Sequence, residues 1–379
     1  MPSRAPFAVR RRALLVAAAA SVAAPVARAQ RGRAAGKPVT VAQLVDVSAA
    51  QQDVSKDFLV GARAFWQDLN ARGGLQGRPV NHQSFEVDGT AAGLHSAIDQ
   101  IRGNPTCVAL SGTAGDPMAV ALVDLLRREN LDIAHAAPWL QNATLEVDDR
   151  TFPIFASRQE QISHALRSLT AVGVQDIGAV YAGAADHALY REDLERTASA
   201  LKLRLQTFRA DGDPVRLARS FTASTPAILL FLGGTPELAQ LTQGLEKQSR
   251  QRYLIALADV NLQVMQQIGG GRTTPVIATQ VVPVTTASLP VVRAYRETLG
   301  RLFDEPPAAL SLAGFIAARY TAEVLADVDG TLTRQAALAA FQRRAAVELG
   351  GFRVAYDERR RGGSFVTQSM LMPDGRVVG

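Results

Sequence analysis

The sequence predicts an α/β protein of two similar Rossmann-like lobes, each a parallel sheet flanked by helices. Three observations predict it. Short β-rich runs alternate with longer helical ones, the alternation restarts after residues 151–155, and 47% of the 379 residues are hydrophobic, enough for two cores.

The elements follow in order. Val39–Val45 reads as a strand, and Phe58 to Leu69, with Phe58, Ala62, Phe65 and Leu69 at helical spacing, as a helix. Asn70-Ala71-Arg72-Gly73-Gly74 ends that helix with glycines suited to a left-handed cap. Val80–Val87 then reads as a strand, Ala91–Arg102 as a helix, Cys107–Leu110 as a strand, Pro117–Glu129 as a helix and Leu131–Ala134 as a strand. In the second block Ile162–Ala171 reads as helical, Ile177–Tyr181 as a strand, Arg191–Lys202 as helical and Ala227–Leu232 as a strand. Pro236–Lys247 follows as a helix and Tyr253–Ala258 as a strand. Such alternation implies parallel sheets covered on both faces. Near the end, Phe352–Tyr356 and Phe365–Met372 flank a polar, glycine-bearing stretch and read as a β-hairpin.

A formal charge of +6 would point to nucleic acid if it were spread over the body. It is not. Residues 1–29 hold Arg4, Arg10, Arg11, Arg12 and Arg28 and no acid, which leaves 36 basic against 35 acidic residues elsewhere. A nearly neutral body gives no electrostatic reason to expect DNA, RNA or an anionic membrane as partner. The basic start reads as an export signal: Arg10-Arg11-Arg12 precedes an apolar run from Ala13 to Val26, and Ala27-Arg28-Ala29 is a small-x-small site with cleavage after Ala29. A run of fourteen residues is too short to cross roughly 30 Å of hydrocarbon. The paired arginines resemble a twin-arginine signal, and an ordinary secretory signal fits the same residues; both readings place the protein in the periplasm. The single cysteine, Cys107, excludes an intrachain disulfide and lies too far from the leader to be a lipoprotein anchor.

Catalytic patterns are missing. His82, His95, His135, His164 and His187 are scattered, with no H-E-x-x-H pair, no G-x-S-x-G elbow, no phosphate-binding loop and no G-x-G-x-x-G after a strand. Gly269-Gly270-Gly271 follows a helical stretch and reads as a turn. No catalytic residue, cofactor or metal is expected.

Several runs together resemble the leucine/isoleucine/valine-type periplasmic binding proteins, the type I receptors of ABC importers. They are Val39-Thr40-Val41, then Ser48, Gly61-Ala62, and Asn70-Ala71-Arg72-Gly73-Gly74-Leu75-Gln76-Gly77-Arg78. Further matches are Ser111-Gly112 to Pro117, Phe152–Ala156, Thr279-Gln280-Val281-Val282-Pro283 and Gly350-Gly351-Phe352. The resemblance spans nearly all of residues 39–379. It implies the type I fold: two lobes joined by a three-strand hinge, lobe 1 from residues 38–155 with 281–350 and lobe 2 from 156–280 with 351–379. It implies no enzymatic activity. Its partners would be a small-molecule ligand in the inter-lobe cleft and a membrane permease, with no nucleic acid and the protein a monomer.

The resemblance also implies where a ligand would touch. Ser48 lies in the loop after the first strand. Asp116 falls, counting without gaps, where the family grips a carboxylate with serine, and Asp116-Pro117 also reads as a helix cap followed by proline at the first helical position. A carboxylate there suits an amine, a hydroxyl or a cation, and Ser111 and Thr113 become the hydroxyl donors. Ala136-Ala137-Pro138-Trp139 puts Ala137 and Trp139 in the next loop, with Trp139 where the family has threonine; an indole suits stacking on a ring or cation, or packing between loop and lobe. In the second lobe the candidates are Asp186 and His187 with Tyr190 nearby, Gly233, and Asp259 where a family acid meets an ammonium group. A branched-chain amino acid is therefore in doubt, and an amino-acid-like or aromatic metabolite is the expectation. Two other readings stay open: a sensory receptor of the same fold, and an exported α/β enzyme, the latter disfavoured by the missing motifs.

Overall fold

A computed structural model describes residues 36–372 and 374–379; the leader over residues 1–29 and its cleavage site lie outside the described residues. In chain order the elements are β1 (Val39–Asp46), α1 (Gln52–Ala71), β2 (Val80–Val87), α2 (Ala91–Gly103), β3 (Cys107–Ser111), α3 (Asp116–Arg128), β4 (Ala134–Ala136), β5 (Thr151–Phe152), α4 (Arg158–Ala171), β6 (Asp176–Tyr181), α5 (Ala184–Ala200), β7 (Arg204–Arg209) and α6 (Pro214–Ser220). They continue with β8 (Ile228–Leu232), α7 (Thr235–Leu245), β9 (Tyr253–Ala256), α8 (Leu262–Gln267), β10 (Val276–Gln280), α9 (Pro290–Leu302), α10 (Ala309–Ala326), α11 (Arg334–Gln342), β11 (Val347–Glu348), β12 (Arg353–Val354), β13 (Thr367–Leu371) and β14 (Val377–Val378).

Two sheets organise these elements. The first is parallel throughout, in the order β2-β1-β3-β4-β5. All eight residues of β1 are buried, as a central strand covered on both faces requires. The second runs β14-β13-β10-β9-β8-β6-β7; β6 to β10 are parallel, while β13 and β14 add antiparallel. It is a mixed sheet: the parallel strands that the alternation predicted are joined by two antiparallel ones. These come from the chain's end: β13 pairs with β10 and β14, and β12 pairs with β11, so Phe352–Tyr356 and Phe365–Met372 do not form the expected hairpin. Phe352 and Val354, assigned from sequence to the second lobe, are buried in the cluster that packs the first sheet.

Between the sheets the chain passes three times, after β5, after β10 and after β12. Behind the first sheet α1 crosses α10 with no room to spare. A Cβ on Gly61 would lie 1.7 Å from the Ser311 carbonyl oxygen, and one on Gly314 would lie 1.9 Å from that of Phe58. Only glycine permits so close a backbone approach. Helix α10 is apolar enough, over 18 residues, to cross a membrane by composition alone, yet most of it is buried; it is the core helix of this lobe.

Candidate ligand-binding cleft

In each sheet the strand order reverses once within the parallel part: between β1 and β3, and between β6 and β8. Loops leaving the strands on either side of such a reversal diverge and leave a crevice at the strands' C-terminal ends. The β3–α3 loop is pinned there, Ala114 N–H donating to the Leu44 carbonyl at 3.0 Å and Gly112 N–H to that of Ala136 at 2.9 Å. Ala137, with φ +47°, turns the chain after β4, and Trp139 N–H then donates to the Thr113 carbonyl at 2.8 Å. A non-glycine residue in the left-handed region is strained, and such strain persists where the surroundings fix it.

Three of the predicted residues meet. Trp139 Nε1–H donates to Asp259 Oδ1 at 2.8 Å. Asp116 and Asp259 are joined by a residue that no sequence motif marks, Arg158, whose Nη1 pairs with Asp116 Oδ2 and whose Nη2 donates to Asp259 Oδ2 at 3.1 Å. The side chains of Arg158, Asp116 and Asp259 are only 10%, 6% and 17% exposed. Asp116 Oδ1 accepts the backbone N–H groups of Gln141 (2.6 Å) and Asn142 (3.1 Å). The guanidinium lies over the Tyr190 ring at 5.5 Å. Burial alone would lower the pKa of Arg158, but Tyr190, Asp116 and Asp259 beside it hold the guanidinium well above its ordinary value. Burial also raises the Tyr190 phenol, opposed by Arg158.

Asp116 therefore does not cap α3 with its side chain. Gly115 occupies the cap position, with φ 101°, Asp116 begins the helix, and its carboxylate turns across to Arg158. Trp139 is packed as well as bonded: its ring meets Phe58 edge-on at 5.7 Å and Phe155 at 5.3 Å, and the residue is 1% exposed.

The other candidates do other work. Ser111 Oγ shares a hydrogen bond with Thr321 Oγ1 of α10 (2.7 Å), and Thr113 Oγ1 with His135 Nε2 (2.9 Å), so both hydroxyls are taken inside the lobe. Ser48 N–H donates to Asp46 Oδ1 (2.9 Å) and shapes the entry to α1. Asp186 Oδ2 accepts Gly183 N–H at 3.0 Å; burial raises its pKa against that hydrogen bond. His187 rests edge-on against Tyr181 at 4.8 Å. At Gly233 a Cβ would sit 2.4 Å from that of Ala182, so this glycine lets the β6 and β8 loops approach.

Further links join the two sides. Asn261 Nδ2–H donates to Asp57 Oδ2 at 2.8 Å, from the second sheet's loops to α1, and burial raises the Asp57 pKa against that bond. Gln161 Oε1 accepts from Ala258 N–H (2.9 Å) and Thr279 Oγ1–H (3.0 Å), while its Nε2–H donates to Gln141 Oε1 (3.0 Å). Among the described residues no group of His, Cys, Asp or Glu is placed to hold a metal ion. One local signal bears on Arg158. Ser157 and Glu160 form a capping box, and a cation in the first turn opposes the helix dipole, so its presence calls for anions nearby.

Comparison with protein families finds that the periplasmic binding protein model matches residues 38–372. Comparison with curated protein sequences gives no match. Among solved structures, a substrate-binding periplasmic protein from Ralstonia solanacearum superposes with a TM-score of 0.79 at 21% identity, over 90% of this chain and 99% of that one. A branched chain amino acid ABC transporter structure from Thermus thermophilus with bound valine gives 0.76 at 14% identity, over 90% and 94%. A fatty acid ABC transporter substrate-binding protein from Thermomonospora curvata gives 0.73 at 14% identity, over 90% and 91%.

Proposed function

The chain belongs to the periplasmic binding protein family, and we propose that it captures a small organic solute between two lobes and presents it to the permease of an ABC importer. The observation that carries this reading is the set of bonds across the cleft, Asp116–Arg158–Asp259 with Trp139, which joins the C-terminal ends of both sheets. Bonds of this kind distinguish a closed from an open receptor, which is what a permease must read. The lobes would comprise residues 38–155 with 281–354 and 156–280 with β13 and β14, with a leader removed after Ala29 and a monomer as the working unit. The similar structures, one with bound valine and one of a fatty acid transporter protein, support a small ligand but leave its class to the cleft's own chemistry.

A thermal-shift screen of the purified protein against amino acids, aromatic acids, amines and amides tests the reading. A ligand at about 100 times its Kd adds about 2.7 kcal/mol of stability. A raised Tm that disappears in Trp139→Ala supports capture in this cleft. Hits that survive Trp139→Ala, or no hit in the whole panel, count against it.

A further inference from the structure

We propose that Arg158 sets the ligand class of this cleft: it supplies from the chain itself the cation that Asp259 and Asp116 would otherwise take from a ligand, so the solute captured carries no ammonium group and binds through acceptor oxygens, as a carboxylic acid does. This rests on the receptor reading and narrows it.

The argument is one of donors and acceptors. Both oxygens of Asp259 are in use, one by the Trp139 indole N–H and one by Arg158 Nη2. Both oxygens of Asp116 are in use as well, one by two backbone N–H groups and one by Arg158 Nη1. An incoming ammonium at Asp259 would have to share that carboxylate with a guanidinium already held by two carboxylates at nine-tenths burial, two like charges at close range. Where it took the bond to Asp259, it would leave that guanidinium with Asp116 alone, and breaking a buried ion pair is strongly unfavourable. The excess negative charge of one cation between two acids is offset at Asp116, which lies in the first turn of α3, where the helix dipole favours an anion. What remains unsatisfied is a donor. Arg158 Nε is buried with no hydrogen-bond partner among the described residues, and a buried N–H without an acceptor is costly until one arrives. The cleft thus lacks an acceptor rather than a cation.

The test uses pairs of compounds that differ only in the ammonium group: leucine against 4-methylpentanoate, and phenylalanine against 3-phenylpropanoate, titrated into the full chain by calorimetry and thermal shift. The deaminated acids are expected to bind at least tenfold more tightly than their amino partners. Arg158→Met combined with Asp116→Asn removes one charge of each sign and frees Asp259; it should reverse the preference within each pair. A merely structural role for Arg158 would lower Tm without any reversal, and that result overturns the proposal. So does an amino acid that equals or beats its deaminated partner in the wild type. If that amino acid loses its effect in Trp139→Ala, the receptor reading stands and only the ligand class falls; absence of any ligand in the broader screen removes the receptor reading itself.

Discussion

His135 shows how much a single residue's role depends on partners distant in sequence. It lies in β4 with no exposure, its Nε2 2.9 Å from Thr113 Oγ1, and burial, only partly opposed by Asp148, lowers its pKa to about 3. The unfolded chain takes up that proton near pH 6.5, so between pH 6.5 and about 3 it binds more protons than the folded one. Stability is whole above pH 6.5 and is lost as pH falls, by up to about 1.4 kcal/mol per pH unit. Urea titrations from pH 7 to 4 should show this slope, and His135→Gln should lessen it, His82, whose pKa burial lowers to about 4, contributing the rest. The same dependence explains what was legible at this scale. Asp116, Trp139 and Asp259 were legible through the family resemblance, which supplies the loop positions after the strands to which they correspond. The orientation of Ser111 and Thr113 was not, since Thr321 and His135 decide it. Arg158 carries no motif of its own; its role shows only through the two acids, distant in sequence, that it joins.

At the scale of elements, most strands and helices up to residue 256 were readable from period and punctuation. The failures have physical reasons. Strand β7 is an edge strand of Arg204-Leu205-Gln206-Thr207-Phe208-Arg209, largely exposed and too polar to announce itself. Helix α10 is buried nearly all round and so carries little helical stripe. The final hairpin expected from sequence does not form because β13 finds its partner in β10, about ninety residues earlier; pairing of that range leaves no local trace. The α1–α10 crossing gives a contrast between two glycines. Gly314→Ala should lower stability by roughly 1–3 kcal/mol or more, because Phe58 backbone blocks the added methyl. Gly300→Ala, in α9 with nothing within 4 Å, should raise it by about 0.5–1 kcal/mol. Chemical denaturation of both variants checks the pair.

For the molecule as a whole, on the proposed receptor reading, the bonds across the cleft set the balance between closed and open forms. The Asn261–Asp57 hydrogen bond is the simplest to remove, since alanine at position 57 suits α1. Losing about 1 kcal/mol should shift that balance about fivefold toward the open form. Small-angle scattering should then give Asp57→Ala a larger radius of gyration than the wild type, and the added solute should restore it. The two-lobed plan itself was legible because alternation and its restart are repeated many times along the chain, whereas closure rests on a handful of side chains. Cys107 bears on how that closure can be watched. Its thiol is buried at the start of β3, and burial pushes its pKa up to about 11, so it is a poor nucleophile at neutral pH. The native chain is therefore nearly silent toward maleimide dyes. Cysteines introduced at exposed Gln100 in α2 and Lys247 beyond α7 would carry a donor and an acceptor fluorophore, making the protein a reporter of its own solute with no native thiol to remove first.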